Sequence, residues 1–183
     1  MAKIGIFGGT FSPFHLGHLA IIKKALEKLD KVIIVPTVIN YYRPGKRSLF
    51  SFDDRVRIIL EMTAGFSGSV TVDSVERDKD STWRTVDTLL YFKKLYPNDE
   101  LYFIMGEDSY SQFKTWFKYE DILRLAKLLV ANRGEIKADP EVPFEELNIG
   151  KGFQETSATA ICDKLIEELI DTYIADKEWY NSL

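Results

Sequence analysis

The only two histidines of the 183-residue chain, His15 and His18, lie three positions apart, just downstream of Gly8 and Gly9 in the stretch IGIFGGTFSPFHLGHL. At a helix entrance this spacing lets both imidazoles point the same way. There they can donate hydrogen bonds to phosphate oxygens and gain charge beside an anion. The glycines let backbone N–H groups approach a ligand with no Cβ in the way. A helix that starts here adds N–H groups without intrahelical partners and the positive end of its dipole. The chemistry these features share is the handling of phosphate. A merely tight turn is the plainer reading of Gly-Gly by itself, and GGTF matches neither GxGxxG nor GxxxxGK[ST]. Zinc is a further reading, but Cys162 is the only cysteine and there is no third histidine, so carboxylates would have to complete the ligand set.

The elements that must position these residues alternate along the chain. Apolar runs at 3–7, 31–35, 100–105 and 126–131, with shorter ones at 69–72 and 147–149, predict strands. Helices are predicted over 17–29, 52–63 (capped by Ser51, with Asp53 and Asp54 in the first turn), from 81 or 82 to 95, 119–125, 156–170 and 171–180. A polar loop at 37–50 carries Arg43, Lys46 and Arg47. Continuous apolar strands separated by helices imply an α/β fold, Rossmann-like, with a mostly parallel sheet covered by helices on both faces. Ligands of such sheets bind beyond the carboxyl ends of the strands. The length suits a single domain over 1–183, with a C-terminal helical part at about 156–183.

Composition narrows the field. The net charge is −4 and the pI about 5.3, against a nucleic-acid partner but compatible with a local basic pocket for an anionic small molecule. One cysteine forms no intrachain disulfide and fits a reducing, cytoplasmic setting. The N-terminal MAKIGIFGGT is no signal peptide, and no run of about 18 apolar residues predicts a membrane span. The oligomeric state, including a homo-oligomer, is left open.

GGTFSPFHLGHL resembles the GGTFDPxHxGH signature of the HxGH-motif nucleotidyltransferases. STWRTVDTLL (81–90) is similar to the SYTxDTL segment of the bacterial nicotinate mononucleotide adenylyltransferases, and LYFIMGEDSYSQFKTW (101–116) to their LYFIxGxDxxxxxxxW segment. LVANRG (129–134) resembles their VVxNRPG, and TSATAI (156–161) the start of ISSTxIR. The resemblance implies transfer of AMP from ATP, with Mg²⁺, to the phosphate of nicotinate mononucleotide, giving nicotinate adenine dinucleotide and pyrophosphate, in NAD biosynthesis. It places His15 and His18 on the α- and β-phosphates of ATP, Lys46 on the leaving pyrophosphate, and Gly8, Gly9, Thr10, Phe11 and Gly106 around the nucleotide. It gives Asp108 to ribose hydroxyls and Ser157 and Thr159 to the ATP tail. It assigns the backbone N–H of Thr85 to the nicotinate carboxylate, the ring of Trp116 and the amide of Phe117 to the pyridine, and Arg133 to a substrate phosphate.

Taken alone, each of these residues has a second reading. Lys46 and Arg133 read as solvated charges, Trp116 as a core side chain, and Asp108 as a helix-start carboxylate. The pattern also departs from the family. Cys162 stands where ISSTxIR has its arginine, Ala158 replaces a serine, Ser12 replaces the aspartate of GGTFDP, and Lys46 lies in RPGK rather than PPHK. A thiol cannot make a bidentate phosphate contact, and Cys162 reads best as a small buried residue. Arg43, Arg47 or Lys164 could substitute for the arginine. Two other functions stay open: a related enzyme acting on nicotinamide mononucleotide or phosphopantetheine, and a nucleotide-binding protein with little turnover.

Overall fold

The computed structural model describes residues 1–38, 50–66, 68–79, 82–132, 136 and 138–150. Its frame is a parallel sheet of six strands: β1 (Lys3–Gly9), β2 (Lys31–Pro36), β3 (Val70–Val72), β4 (Glu100–Gly106), β5 (Lys127–Asn132) and β6 (Phe144–Asn148). The spatial order is β3-β2-β1-β4-β5-β6, so the chain winds outward from β1 in one direction and then returns to build the other half from β4. Every strand pairing is parallel, which makes the expected "mostly parallel" sheet wholly parallel among the described residues.

The alternation of side chains along each strand separates two cores. Ile4, Ile6, Ile33, Val35, Leu101, Phe103, Leu128 and Val130 face one way, against Val86, Leu89 and Phe92 of α3 (Thr85–Leu95) and Ile122 of α5 (Tyr119–Leu125). Phe7, Val32, Ile34, Tyr102, Ile104 and Leu129 face the other way, against Ile21, Ile22 and Ala25 of α1 (Leu16–Ala25) and Ile59 of α2 (Phe52–Thr63). Both faces are thus buried, and this is why the strands read as unbroken apolar runs. Full burial of a side chain such as Ile22 or Ile34 stabilises by about 1.5–3 kcal/mol. The close layering depends on Gly5: a Cβ there would stand 2.7 Å from Leu29 Cδ1 and 2.8 Å from Ile104 Cδ1.

Several boundaries differ from the sequence reading. Helix α2 runs as expected, with Ser51 Oγ accepting the N–H of Asp54 at 3.1 Å. Helix α1 ends at Ala25, and residues 26–28 form a turn rather than more helix. Helix α3 begins at Thr85, because Asp87 reaches back to the N–H of Arg84 (2.9 Å) and fixes Arg84 as the residue before the first turn. Strand β6 spans Phe144–Asn148 instead of 147–149. As an edge strand it keeps Glu145 and Glu146 partly or wholly in solvent, and this hides its apolar pattern. A single turn, α4 (Glu107–Tyr110), follows β4. The helices expected at 156–170 and 171–180 lie outside the described residues. No helix among the described residues is long and apolar enough to cross a membrane.

Candidate active site

The winding reverses between β1 and β4, which lie side by side with Phe7 opposite Ile104. From β1 the chain leaves toward α1 on one face; from β4 it leaves toward α4, whose Tyr110 is packed in the opposite core. The carboxyl ends of these two strands therefore bound a crevice at the switch point, the usual ligand seat of such sheets. Gly8, Gly9 and Thr10 stand at the end of β1, and Gly106 at the end of β4. A Cβ added at Gly106 would meet nothing within 4 Å, so the backbone there borders open space.

The β1–α1 turn holds its shape through aromatic packing. A Cβ on Gly9 would lie 2.9 Å from the ring of Phe11, so only glycine admits that ring. Phe11 adopts a left-handed backbone (φ 49°), which costs an L-residue about 1–2 kcal/mol. Burial of its ring to 4% exposure offsets that cost, since it is worth about 1.5–3 kcal/mol. Phe11 and Phe14 then wall the His18 ring, each at a centroid distance of 5.0 Å, the first edge-on and the second stacked.

His15 precedes the first turn of α1, with its carbonyl accepting the N–H groups of His18 (2.9 Å) and Leu19 (3.2 Å). Its own N–H donates to His18 Nδ1 at 3.1 Å. An Nδ1 that accepts carries no proton, so His18 holds its proton on Nε2 and presents that nitrogen as a donor. The His15 and His18 rings stack at 3.7 Å between centroids. Two imidazoles, one with its tautomer set by the backbone, thus stand together at the crevice.

The remaining residues fall into three groups. Asp108 is exposed on α4, two residues beyond Gly106, where a carboxylate can meet hydroxyl groups. Thr85 opens α3, and its N–H has no intrahelical carbonyl to bond. Trp116 is 9% exposed and packs on Phe103 (5.9 Å, edge-on) and Phe113 (5.5 Å), in the same core as Val86 beside Thr85. Most of its ring is core, so in this conformation it offers a ligand only a margin. Phe117, by contrast, is 55% exposed. Lys46, Arg133, Ser157 and Thr159, with Cys162, lie outside the described residues.

Three polar residues were missed in the sequence reading. Arg55 is 3% exposed, and its Nη1 donates to the carbonyl oxygens of Thr10 (2.5 Å) and Thr37 (2.9 Å), tying the turn after β1 to the start of the loop after β2. Burial lowers the pKa of its guanidinium. Its signal was helical spacing: Arg55, Ile59 and Thr63 recur every four residues on the buried stripe of α2. Glu76 accepts the Thr88 hydroxyl at 2.8 Å, and its burial raises the carboxyl pKa despite that hydrogen bond. Tyr110 donates to the carbonyl of Val142 (2.8 Å) and accepts the N–H of Asp139 (3.1 Å), anchoring the lead into β6 to α4. No local pattern marked the last two.

Comparison with known proteins agrees with this architecture. Residues 6–179 match the family model described as cytidylyltransferase-like. A probable nicotinate-nucleotide adenylyltransferase of Aliarcobacter butzleri is 34% identical over 179 residues, covering 96% of this chain and 92% of that protein. One from Shewanella sp. strain MR-7 is 37% identical over 151 residues, covering 80% and 69%. Among solved structures, the Plasmodium falciparum nicotinic acid mononucleotide adenylyltransferase complexed with NaAD superposes with a TM-score of 0.69 at 21% identity, over 87% of this chain and 82% of that one. That likeness shows the shared fold.

Proposed function

The chain belongs to the cytidylyltransferase-like family and, within it, to the nicotinate-nucleotide adenylyltransferases, and from that premise we propose how its residues carry out the transfer. The reaction moves AMP from ATP to the phosphate of nicotinate mononucleotide, giving nicotinate adenine dinucleotide and pyrophosphate, a step of NAD biosynthesis. The observation that carries the residue-level reading is the stacked His15–His18 pair at the Gly8-Gly9 turn, with the His18 tautomer set for donation from Nε2.

The acceptor phosphate is already an anionic nucleophile. The protein's task is to bring two repelling anions together and to offset charge that moves onto the leaving pyrophosphate. His18 Nε2–H and the His15 ring donate to phosphate oxygens of ATP. Gly8, Gly9 and Thr10 let the triphosphate approach the backbone, and Phe11 shapes that turn. Gly106 leaves room over β4, and Asp108 accepts from ribose hydroxyls. Thr85 N–H meets the nicotinate carboxylate, with Phe117 and the margin of Trp116 against the pyridine. Lys46 follows the charge onto pyrophosphate, Arg133 meets a substrate phosphate, and Ser157 and Thr159 hold the tail.

No group of three or more His, Cys, Asp or Glu that could hold a metal ion is found among the described residues; Mg²⁺ would enter this site as the counterion of ATP. When bound it shields the phosphate oxygens from one another. The cytoplasm is the compartment this reading expects.

Pyrophosphate release at fixed ATP and Mg²⁺ tests the assignment, with nicotinate mononucleotide, nicotinamide mononucleotide and phosphopantetheine compared as acceptors. Nicotinate mononucleotide should give the highest kcat/KM. Release with none of the three, alongside measurable ATP binding, would replace the enzyme by a nucleotide-binding protein.

A further inference from the structure

Asp108 stands on a piece of chain that does not hold its own place. Between Gly106 and Trp116 lie α4, a single turn, and a second short turn at Phe113–Thr115. Helices this short do not persist by themselves, because nucleation costs more than one turn of hydrogen bonds returns. The joint that leads into α4 is also permissive: Gly106 carries no Cβ, and one added there would meet nothing within 4 Å. The ladder of β4 with β5 ends at the same residue, opposite Ala131. The orientation of the Asp108 carboxylate therefore depends on tertiary contacts of the residues that follow it.

Tyr110 supplies them. Its ring is 5% exposed and packs on Phe144, at the start of β6, with 4.6 Å between centroids. Its hydroxyl is used twice, donating to the carbonyl of Val142 at 2.8 Å and accepting the N–H of Asp139 at 3.1 Å. Both groups belong to one closed turn, in which Val142 N–H bonds the carbonyl of Asp139 (3.0 Å) and Glu141 N–H bonds Asp139 Oδ1 (3.0 Å). Lys114 fastens this turn from its outer side, with Nζ 2.7 Å from Asp139 Oδ2 and 2.6 Å from Glu141 Oε2. The turn is tied to the sheet soon afterwards, where Phe144 pairs with Leu128. A continuous path thus runs from β6 through the Tyr110 hydroxyl to α4, which carries Asp108.

We propose that the Tyr110 hydroxyl sets the position of the Asp108 carboxylate at the crevice, which makes Tyr110 a positioning residue for ribose recognition. This rests on the adenylyl-transfer reading above, in which Asp108 accepts from the ribose hydroxyls of ATP. A phenylalanine ring at 110 fills the same core space but leaves the Val142 carbonyl and the Asp139 N–H without their partner, and buried groups in that condition are driven toward water. The turn of α4 then keeps its apolar seat and loses its fixed distance from β6. The loss falls on the hydroxyl contacts rather than on the chemistry at the α-phosphate, so the enzyme ceases to tell a ribonucleotide from its dideoxy counterpart.

The test compares ATP with 2′,3′-dideoxy-ATP, as the ratio of their kcat/KM values at fixed nicotinate mononucleotide and Mg²⁺. Wild type should favour ATP by about tenfold or more, the usual worth of a hydrogen bond to a charged group, and Asp108→Ala should bring the ratio close to one. Tyr110→Phe should lower the ratio by about threefold or more, through a higher KM for ATP with kcat nearly kept, and should lower it no further in the Asp108→Ala background. Loss of packing alone would slow both nucleotides equally and leave the ratio at its wild-type value. Should Tyr110→Phe fail to fold, Lys114→Met loosens the same turn from its solvent side and should lower the ratio about twofold, in keeping with an exposed ion pair. An unchanged ratio in folded Tyr110→Phe, or in Lys114→Met where it stands in, overturns the proposal, as does a further loss in the Asp108→Ala background. A wild type that transfers AMP but ignores the missing hydroxyls overturns this proposal alone. A wild type with no transfer overturns the functional reading; calorimetric binding of the two nucleotides then gives the same ratio and decides the role of Tyr110.

Discussion

The backbone N–H of His15 fixes the ring of His18: it donates to Nδ1 at 3.1 Å while the two imidazoles stack at 3.7 Å. The pair is therefore one device, in which the first histidine orients the second and assigns its proton. Long-range ¹H–¹⁵N spectra at neutral pH should show His18 as the Nε2–H tautomer; a proton on Nδ1 contradicts the arrangement. His18→Ala should lower kcat/KM by roughly 10²–10³, the usual loss for one preorganised donor to a charge-developing oxygen. Circular dichroism should show the fold retained.

Arg55 joins two loops from inside the protein. Arg55→Leu leaves the carbonyls of Thr10 and Thr37 without their charged donor, and the expected loss is about 3 kcal/mol, from hydrogen bonds to a charged group worth about 1.5–3 kcal/mol each. Urea denaturation measures it. Arg55→Lys should recover only part, because a single ammonium on a flexible stem does not reproduce the rigid guanidinium fork.

Glu76 makes stability depend on pH with a defined sign. Its folded pKa is raised above the ordinary value of 4.5, chiefly by burial, so the folded state binds its proton more tightly than the unfolded chain does. The stabilisation this provides is complete below 4.5 and is lost as pH climbs through the raised value. Relative to wild type, Glu76→Gln should therefore gain thermal stability between acidic and neutral pH and show little difference at pH 4. Melting curves of both proteins across that range decide it, and a gap that narrows with rising pH contradicts the sign.

Cys162 stands where the resembling family has an arginine. Restoring the guanidinium in Cys162→Arg should tighten ATP binding by about 1.5–3 kcal/mol, the range for a hydrogen bond to a charged group. Calorimetric titration with a non-hydrolysable ATP analogue reads this directly. Equal or weaker binding means that position 162 does not face the phosphates.

The inner sheet was legible in the sequence because burial on both faces leaves β1, β2, β4 and β5 as unbroken apolar runs, and α2 was legible because Ser51, Asp53 and Asp54 announce its start. Strand β6 was read short because Phe144-Glu145-Glu146-Leu147 is an edge strand whose glutamates meet water. The His15–His18 pair was legible from type and spacing. Arg55 and Glu76 were not, since a charged residue on a helix or loop ordinarily faces solvent, and only the fold reveals which carbonyl or hydroxyl waits opposite. Trp116 lay between: the sequence allowed both a ring against a substrate and a core side chain, and its depth of burial could be learned only from the packing of Phe103 and Phe113.

The central strand precedes the other five strands in the chain, and its two neighbours are synthesised at very different times. Lys31–Pro36 can dock on Lys3–Gly9 early, but the opposite flank, Glu100–Gly106, is about a hundred residues downstream. Nascent chains shorter than that carry both histidines yet leave one edge of β1 with its backbone N–H and C=O groups unpaired, and non-local parallel pairing of this kind is slow to form. Truncated translation products should consequently be clients for holdase chaperones rather than partial catalysts, with competence arriving only when the second half of the sheet closes on the first.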